Sequence, residues 1–152
     1  LKLNNITNYK IIDKLYEASR AGVAVDMIVR GICCLVPGVK GMSENIRVIS
    51  VVDKFLEHPR VYIFENAGDP KMYISSADWM TRNIDNRVEV ACPIYDKDLQ
   101  QELLDTFLIS WSDNVKARLV NTKAQNSFVP TQGEAIRSQW ATYAYFNEKL
   151  TH

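Results

Sequence analysis

The sequence predicts an α/β domain, a β-sheet flanked by helices, and three observations carry that expectation. Short runs of β-branched and apolar residues alternate with stretches of helical apolar spacing. The 152 residues suit one compact domain that can bury a core without disulfide or metal staples. The hydrophobic share of 47% and charged share of 24% fit a globular chain rather than a disordered or membrane-spanning one.

Taken in order, Tyr9 to Ala21 places Ile11, Ile12, Leu15 and Ala18 on one helical face, with Asn8 as cap and Gly22 as terminator. Val23 to Val29 reads as a buried strand that delivers Arg30 and Gly31 at its C-terminal end, where open α/β sheets usually bind ligands. Gly31 to Asn45 is a loop of functional length. Ile46 to Val51 is a strand, followed by a short helical turn ending near Glu57, because Pro59 disfavours helical geometry at His58. Val61 to Phe64 and Met72 to Ser75 are strands joined by a turn at Asn66-Ala67-Gly68-Asp69-Pro70. Arg87 to Cys92 is a further strand. Leu99, Leu103, Leu104, Phe107, Leu108 and Trp111 mark an amphipathic helix capped by Asp96. Asn121 to Gly133 is a polar loop. Glu134 to Leu150 forms a last helix with Ile136, Trp140, Tyr143 and Phe146 toward the body.

Charge excludes little and favours nothing: 18 Lys and Arg balance 18 Asp and Glu, so net charge gives no argument for nucleic acid, membrane or anionic ligands. Any anion site must come from local placement. Cys33, Cys34 and Cys92 have no zinc spacing, and a reducing, intracellular compartment is expected. No apolar run is long enough to span a bilayer. The start at Leu1 without methionine suggests a piece of a longer chain, with processing as the alternative.

Arg30 offers a guanidinium fork for phosphate oxygens; the alternative is a surface arginine that ends a strand. His58, after the expected helical turn, would have its protonated form favoured by a helix C-terminus and could bond a phosphate and move a proton. A solvated loop histidine is the competing reading. Arg47, Arg60 and Lys71 begin strands, and Arg82 and Arg87 flank Asn83 to Asn86. If those strands are parallel neighbours, some of these cations converge on one sheet edge as a polyanion track; otherwise they are scattered strand-end charge. In Ser75-Ser76-Ala77-Asp78-Trp79 the small residues allow close backbone approach, and Asp78 is suited to cap a turn or orient a basic residue. No GxxxxGK[ST], GxGxxG or HExxH motif occurs, and no metal ligand set is recognised.

Several blocks resemble the bacterial polyphosphate kinases of the first type. They are Ile28-Val29-Arg30-Gly31-Ile32-Cys33-Cys34-Leu35, Ser43-Glu44-Asn45-Ile46-Arg47-Val48, Phe55-Leu56-Glu57-His58-Pro59-Arg60-Val61-Tyr62 and, most specific, Tyr73-Ile74-Ser75-Ser76-Ala77-Asp78-Trp79-Met80-Thr81-Arg82-Asn83. Asp85, Arg87 to Ala91 and Val115 to Arg118 continue the likeness, which is close from Lys2 to Arg118. Two departures stand out. Asn66-Ala67-Gly68 replaces the commoner Asn-Gly-Gly, and Pro130 is followed by Thr131-Gln132 where relatives often place arginine.

The resemblance implies that residues 1–152 form the second of two C-terminal domains with a phospholipase D-like mixed sheet flanked by helices. It implies transfer of the terminal phosphate of ATP to polyphosphate, reversibly and with Mg2+, through a phosphohistidine on a neighbouring domain. By motif position, Arg30 and Arg87 would contact nucleotide phosphates, and His58 would contact ATP and assist transfer. Arg47, Arg60, Lys71 and Arg82 become candidates to line a polyphosphate path. Expected partners are ATP, ADP, polyphosphate, the remaining domains of the polypeptide and further copies in a dimer or tetramer, with no nucleic acid. Mg2+ would be bound mainly by the neighbouring domain and the ATP phosphates. The expected location is the cytoplasm or the inner face of the membrane. A phospholipase D-like phosphodiesterase is the alternative, although its His-x-Lys pair is not recognisable here. A noncatalytic polyanion-binding or assembly module is the other.

Overall fold

A computed structural model describes residues 1–123, 126–131 and 133–151. Gln132, named above among the departures, and His152 lie outside the described residues, as do two positions of the predicted polar loop.

The elements are β1 (Lys2–Leu3), α1 (Tyr9–Arg20), β2 (Val25–Val29), β3 (Ile46–Val51), β4 (Val61–Phe64), β5 (Lys71–Ser75), α2 (Thr81–Asn86), β6 (Ala91–Ile94), α3 (Lys97–Trp111), β7 (Ala117–Val120) and α4 (Ser138–Leu150). The strands form one mixed sheet in the order β6-β5-β4-β1-β2-β3-β7. Strands β1, β2 and β3 are parallel, and each remaining neighbour pair is antiparallel. One end of the sheet therefore collects the C-terminal ends of β1, β2, β3 and β5 and the starts of β4, β6 and β7.

The two-residue period of a strand divides the core between the faces. Leu3, Val25, Met27, Val29, Ile46 and Val48 face Ile12, Leu15 and Tyr16 on one side. Ile28, Ile49 and Ala117 face Phe107 and Trp111 of α3 on the other. Helix α1 begins where Asn8 Oδ1 accepts from Ile11 N at 3.2 Å. It ends at Gly22, whose φ of 87° suits the left-handed position after a helix. Asp96 Oδ1 caps α3 through the amides of Asp98 and Leu99.

Several expectations are corrected. No helix precedes His58: the segment from Val52 to Arg60 is irregular, so a helix dipole does not act on the imidazole. Strand β2 starts at Val25, and β6 covers Ala91–Ile94 rather than beginning at Arg87. Val88 is 99% exposed, so nothing packs its side chain into a sheet. Helix α2, the short β1 and the edge strand β7 were not expected. Helix α4 starts at Ser138, four residues after Glu134, because Glu134 and Ile136 hydrogen-bond Asn114 instead. Buried Asp113 accepts from Ser138 N at 2.8 Å and so caps α4 from another element. Trp140, Tyr143 and Phe146 remain substantially exposed rather than turned into the core. The side of α4 that meets α3 carries Tyr145 and Lys149, which bond Asp105 and Glu102.

Candidate phosphate-binding site

The site grows from the carboxyl end of β2. Arg30 lies next to the last residue of that buried strand, and its amide donates to Leu3 O at 3.2 Å. Its Nη2 lies 3.4 Å from His58 Nδ1. The two groups are 28 residues apart, brought together because the β3–β4 connection returns across the sheet end on which β2 finishes. A guanidinium has donors only, so a hydrogen bond between the two groups would take a bare His58 Nδ1, with the ring proton on Nε2. Arg30 Nε is buried without a hydrogen-bond partner among the described residues. Neither Arg30 nor His58 forms an ion pair with a carboxylate among the described residues. A guanidinium with unused donor capacity beside an exposed imidazole is suited to anionic oxygens.

Gly31 has a steric reason to be glycine. A Cβ there would fall 2.5 Å from Asn5 Oδ1 and 2.9 Å from Asn4 O. Asn5 Oδ1 also accepts from Ile32 N at 2.8 Å, so the turn after Arg30 is clamped to the segment after β1.

Asp78 holds the other side. It is 2% exposed and accepts from Asn4 N at 2.8 Å, Asn5 N at 3.1 Å and Asn5 Nδ2 at 3.2 Å. Arg60 adds Nε at 3.2 Å and Nη2 at 3.3 Å. Burial pushes the Asp78 carboxyl up, but the Arg60 hydrogen bonds and the Asn5 and Asn4 amides outweigh it and hold its pKa below the usual value. The third Arg60 nitrogen, Nη1, donates to His58 O at 3.2 Å. Asp78 thus orients a basic residue, one of the two roles its sequence context suggested, and that residue holds the His58 backbone. The Ser75 to Trp79 segment approaches other backbone rather than an open surface: Thr7 N and Asn8 N both donate to Trp79 O, and Tyr62 Oη donates to Ala77 O at 2.6 Å.

A second polar group sits in the β5–β6 connection. Glu89 accepts from Ser76 Oγ and from Asn83 Nδ2, the latter at 2.6 Å. Those bonds, the Ser76 hydroxyl first and then Asn83, lower the Glu89 pKa, and the nearby Arg87 and Arg60 charges add to the effect. Nothing in the residue spacing singled out Glu89 or Asn5, because their partners are distant in sequence or on another element.

The cations expected to converge divide into two sets. Arg30, Arg60, Arg82 and Arg87 lie at the His58 end of the sheet, although Arg60 is committed to Asp78. Arg82 and Arg87 are exposed and form no ion pair among the described residues. Arg47 and Lys71 lie at the opposite end, which corrects their assignment to one mouth. Arg47 pairs across from Asp26, four residues before Arg30 and so roughly 13 Å down the strand. It is held by Asp26 through two 2.7 Å bonds, with its guanidinium over Trp111. Lys71 opens β5 opposite Phe64 and pairs with Asp69 at 2.6 Å. Arg47 is there because β3 runs parallel to β2 and so starts at the end away from Arg30; Lys71 is there because β4 and β5 are antiparallel, which puts a residue opening β5 at the far end from one opening β4. Among the described residues no three His, Cys, Asp or Glu side chains gather to hold a metal ion.

A family model described as polyphosphate kinase C-terminal domain 2 matches residues 1–139. The chain belongs to that family. It is 56% identical over 99% of its length to a polyphosphate kinase of Vibrio parahaemolyticus, and 53% identical over 95% to that of Escherichia coli K12. It spans 22% and 21% of those two relatives, about a fifth of their length. The fold superposes on the crystal structure of polyphosphate kinase from Porphyromonas gingivalis with a TM-score of 0.95 and 45% identity. That match covers 98% of this chain and 23% of the other. The mixed seven-stranded sheet with flanking helices is accordingly that of a polyphosphate kinase domain. Among the described residues, no helix is long and apolar enough to cross a membrane.

Proposed function

We propose that this chain is the part of an ATP:polyphosphate phosphotransferase that grips the nucleotide triphosphate, opposite a phosphorylatable histidine carried by another domain of the same polypeptide. The observation that carries this reading is the contact between Arg30 and His58 at the carboxyl end of β2, with neither group neutralised by a carboxylate among the described residues. Family membership and the chain's share of its relatives' length support it.

Phosphoryl transfer needs positioning and charge neutralisation more than covalent work by side chains. The bond from the terminal phosphorus of ATP to its bridging oxygen breaks, ADP leaves, and a bond forms to an imidazole nitrogen outside this chain. A terminal polyphosphate oxygen then takes the phosphoryl group and frees the imidazole, so that one displacement becomes two. Arg30 would donate to the nonbridging oxygens throughout. His58 would donate its Nε2 proton to the phosphate oxygen on which charge builds. Exposed Arg87 and Arg82 would guide the anionic product, a contribution that weakens with salt. Mg2+ would supply further charge neutralisation when it arrives with ATP; among the described residues no cluster of ligands gathers for it, so the ATP phosphates and the neighbouring domain would hold it. The full enzyme would act as a dimer or tetramer.

Arg30→Ala and His58→Ala in the full-length enzyme are expected to lower kcat by about 10²–10⁴ each, the scale of a lost charge-stabilising donor or proton-transfer group. Steady-state kinetics of ATP-dependent synthesis read the outcome. Near-normal turnover in both variants would overturn the assignment.

A further inference from the structure

The segment that carries His58 lacks the usual means of holding its shape. Among the described residues, no backbone-to-backbone hydrogen bond outside the sheet ladders is made by Asp53 through Pro59, and no helix or strand includes them. Arg60 fixes its far end through the His58 carbonyl. The near end and the middle are held by the first turn of α4.

Gln139 does most of this. Its Oε1 accepts from Phe55 N at 3.0 Å, and its Nε2 donates to Phe55 O at 2.8 Å and to Glu57 Oε1 at 3.0 Å. One carboxamide therefore pairs with both backbone groups of Phe55, as a neighbouring strand would, and also fixes the side chain of the residue before His58. Glu57 is fixed on its other oxygen by Lys2 Nζ at 2.6 Å, which also donates to Ser110. Two residues earlier, immediately before α4, Arg137 grips nearly fully buried Asp53 through bonds of 2.8 and 2.7 Å. Trp140 closes edge-on against Phe55, with ring centroids 6.2 Å apart. The Arg137 bonds hold the Asp53 carboxyl below its usual pKa, against burial, so this tie is present at neutral pH.

We infer that Gln139 is a positioning residue for the reaction: by replacing the missing backbone partners of Phe55, it sets the loop geometry that brings His58 against Arg30. The inference rests on the phosphotransferase reading, because it concerns where the imidazole is held rather than what it does. A displacement of about 1 Å at a group near the chemistry can lower turnover by about a hundredfold. Gln139 acts through Phe55 and Glu57, three residues and one residue before His58, so a loss of roughly tenfold in kcat is expected, with a smaller change in KM for ATP.

A double-mutant cycle in the full-length enzyme tests this. Gln139→Ala, Gln139→Met, His58→Ala and the two double variants are compared by kcat and KM. Gln139→Met keeps the side chain's volume while removing its hydrogen bonds, so it serves if the alanine variant folds poorly. Gln139→Met is expected to lose about tenfold alone and less than twofold in the His58→Ala background, since a displaced imidazole matters only where there is one. Hydrogen exchange should quicken in peptides covering residues 52–58 and stay unchanged in β2 and β3. Wild-type kcat in Gln139→Met, or a full tenfold loss persisting without His58, overturns the positioning role and leaves the phosphotransferase reading intact. Wild-type turnover in His58→Ala removes His58 from that reading, and the positioning role with it; near-normal turnover in Arg30→Ala as well defeats the reading itself.

Discussion

Asp78→Asn is the substitution that best tests how this sheet end is built. The change keeps size and shape and removes one acceptor. Oδ1 takes three donors, from Asn4 N, Asn5 N and Arg60 Nε, while Oδ2 takes Asn5 Nδ2 and Arg60 Nη2. An asparagine can keep the first set with its oxygen, and its amide then confronts two donors. One lost bond is neutral, at about 1 kcal/mol, and the other is charged, at about 1.5–3 kcal/mol. Arg60, with 13% of its side chain exposed, also loses its counter-charge. The sum approaches the roughly 3–5 kcal/mol typical of breaking a buried pair from one side. Urea unfolding of the chain should show a midpoint shift corresponding to about 3 kcal/mol with an unchanged slope.

The pH dependence supplies an independent check with a definite sign. The folded-state pKa of Asp78 lies below its unfolded value. Its contribution is therefore complete above about pH 4 and is lost as pH falls through the lower folded value. The gap between wild type and Asp78→Asn should be constant from pH 5 to 7 and narrow below pH 4. A cost under about 1 kcal/mol at pH 7, or a gap that widens with acid, refutes the argument that Asp78 is the charged anchor of Arg60.

Two further outcomes follow from the geometry, beside those stated for Arg30, His58 and Gln139. Ala67 has a φ of 54° in the turn before β5, a left-handed conformation that costs a residue with a Cβ roughly 1–2 kcal/mol. Ala67→Gly should raise stability by up to about 1 kcal/mol, because glycine's greater unfolded freedom offsets part of the relief; thermal denaturation that shows no gain or a loss would count against strain at this position. Arg47→Ala and Lys71→Ala should each leave synthesis by the full-length enzyme within about twofold at saturating ATP and polyphosphate, since both cations lie at the far end of the sheet and are paired with carboxylates. A loss of ten times or more in either variant would mean that the polyanion path runs along the opposite end.

Local chemistry wrote most of the elements into the sequence. Asn8 and Gly22 bracket α1, Asp96 opens α3, and the apolar runs of β2, β3 and β4 are short enough and dense enough to be strands whatever surrounds them. The family blocks likewise identified Arg30 and His58 as residues of interest without any coordinates. Elements with weak internal signals were not legible: β1 has two residues, β7 is an edge strand aligned by β3, and α4 starts where Asp113 and Asn114, more than 20 residues earlier, allow it to.

Direction was the larger unknown. A strand's residues determine that it is a strand, but its neighbours decide which way it runs, and that choice sends Arg60 to one end of the sheet and Lys71 to the other. The loop carrying His58 shows the same division. Pro59 tells against helix only at His58, and the helical turn that the spacing predicts up to Glu57 does not form; the packed structure instead supplies Gln139, Arg137 and Arg60 to hold the segment. Periodicity and capping act over a few residues, so one sequence can display them; hydrogen bonds between side chains 82 and 84 residues apart exist only after the sheet has closed the distance.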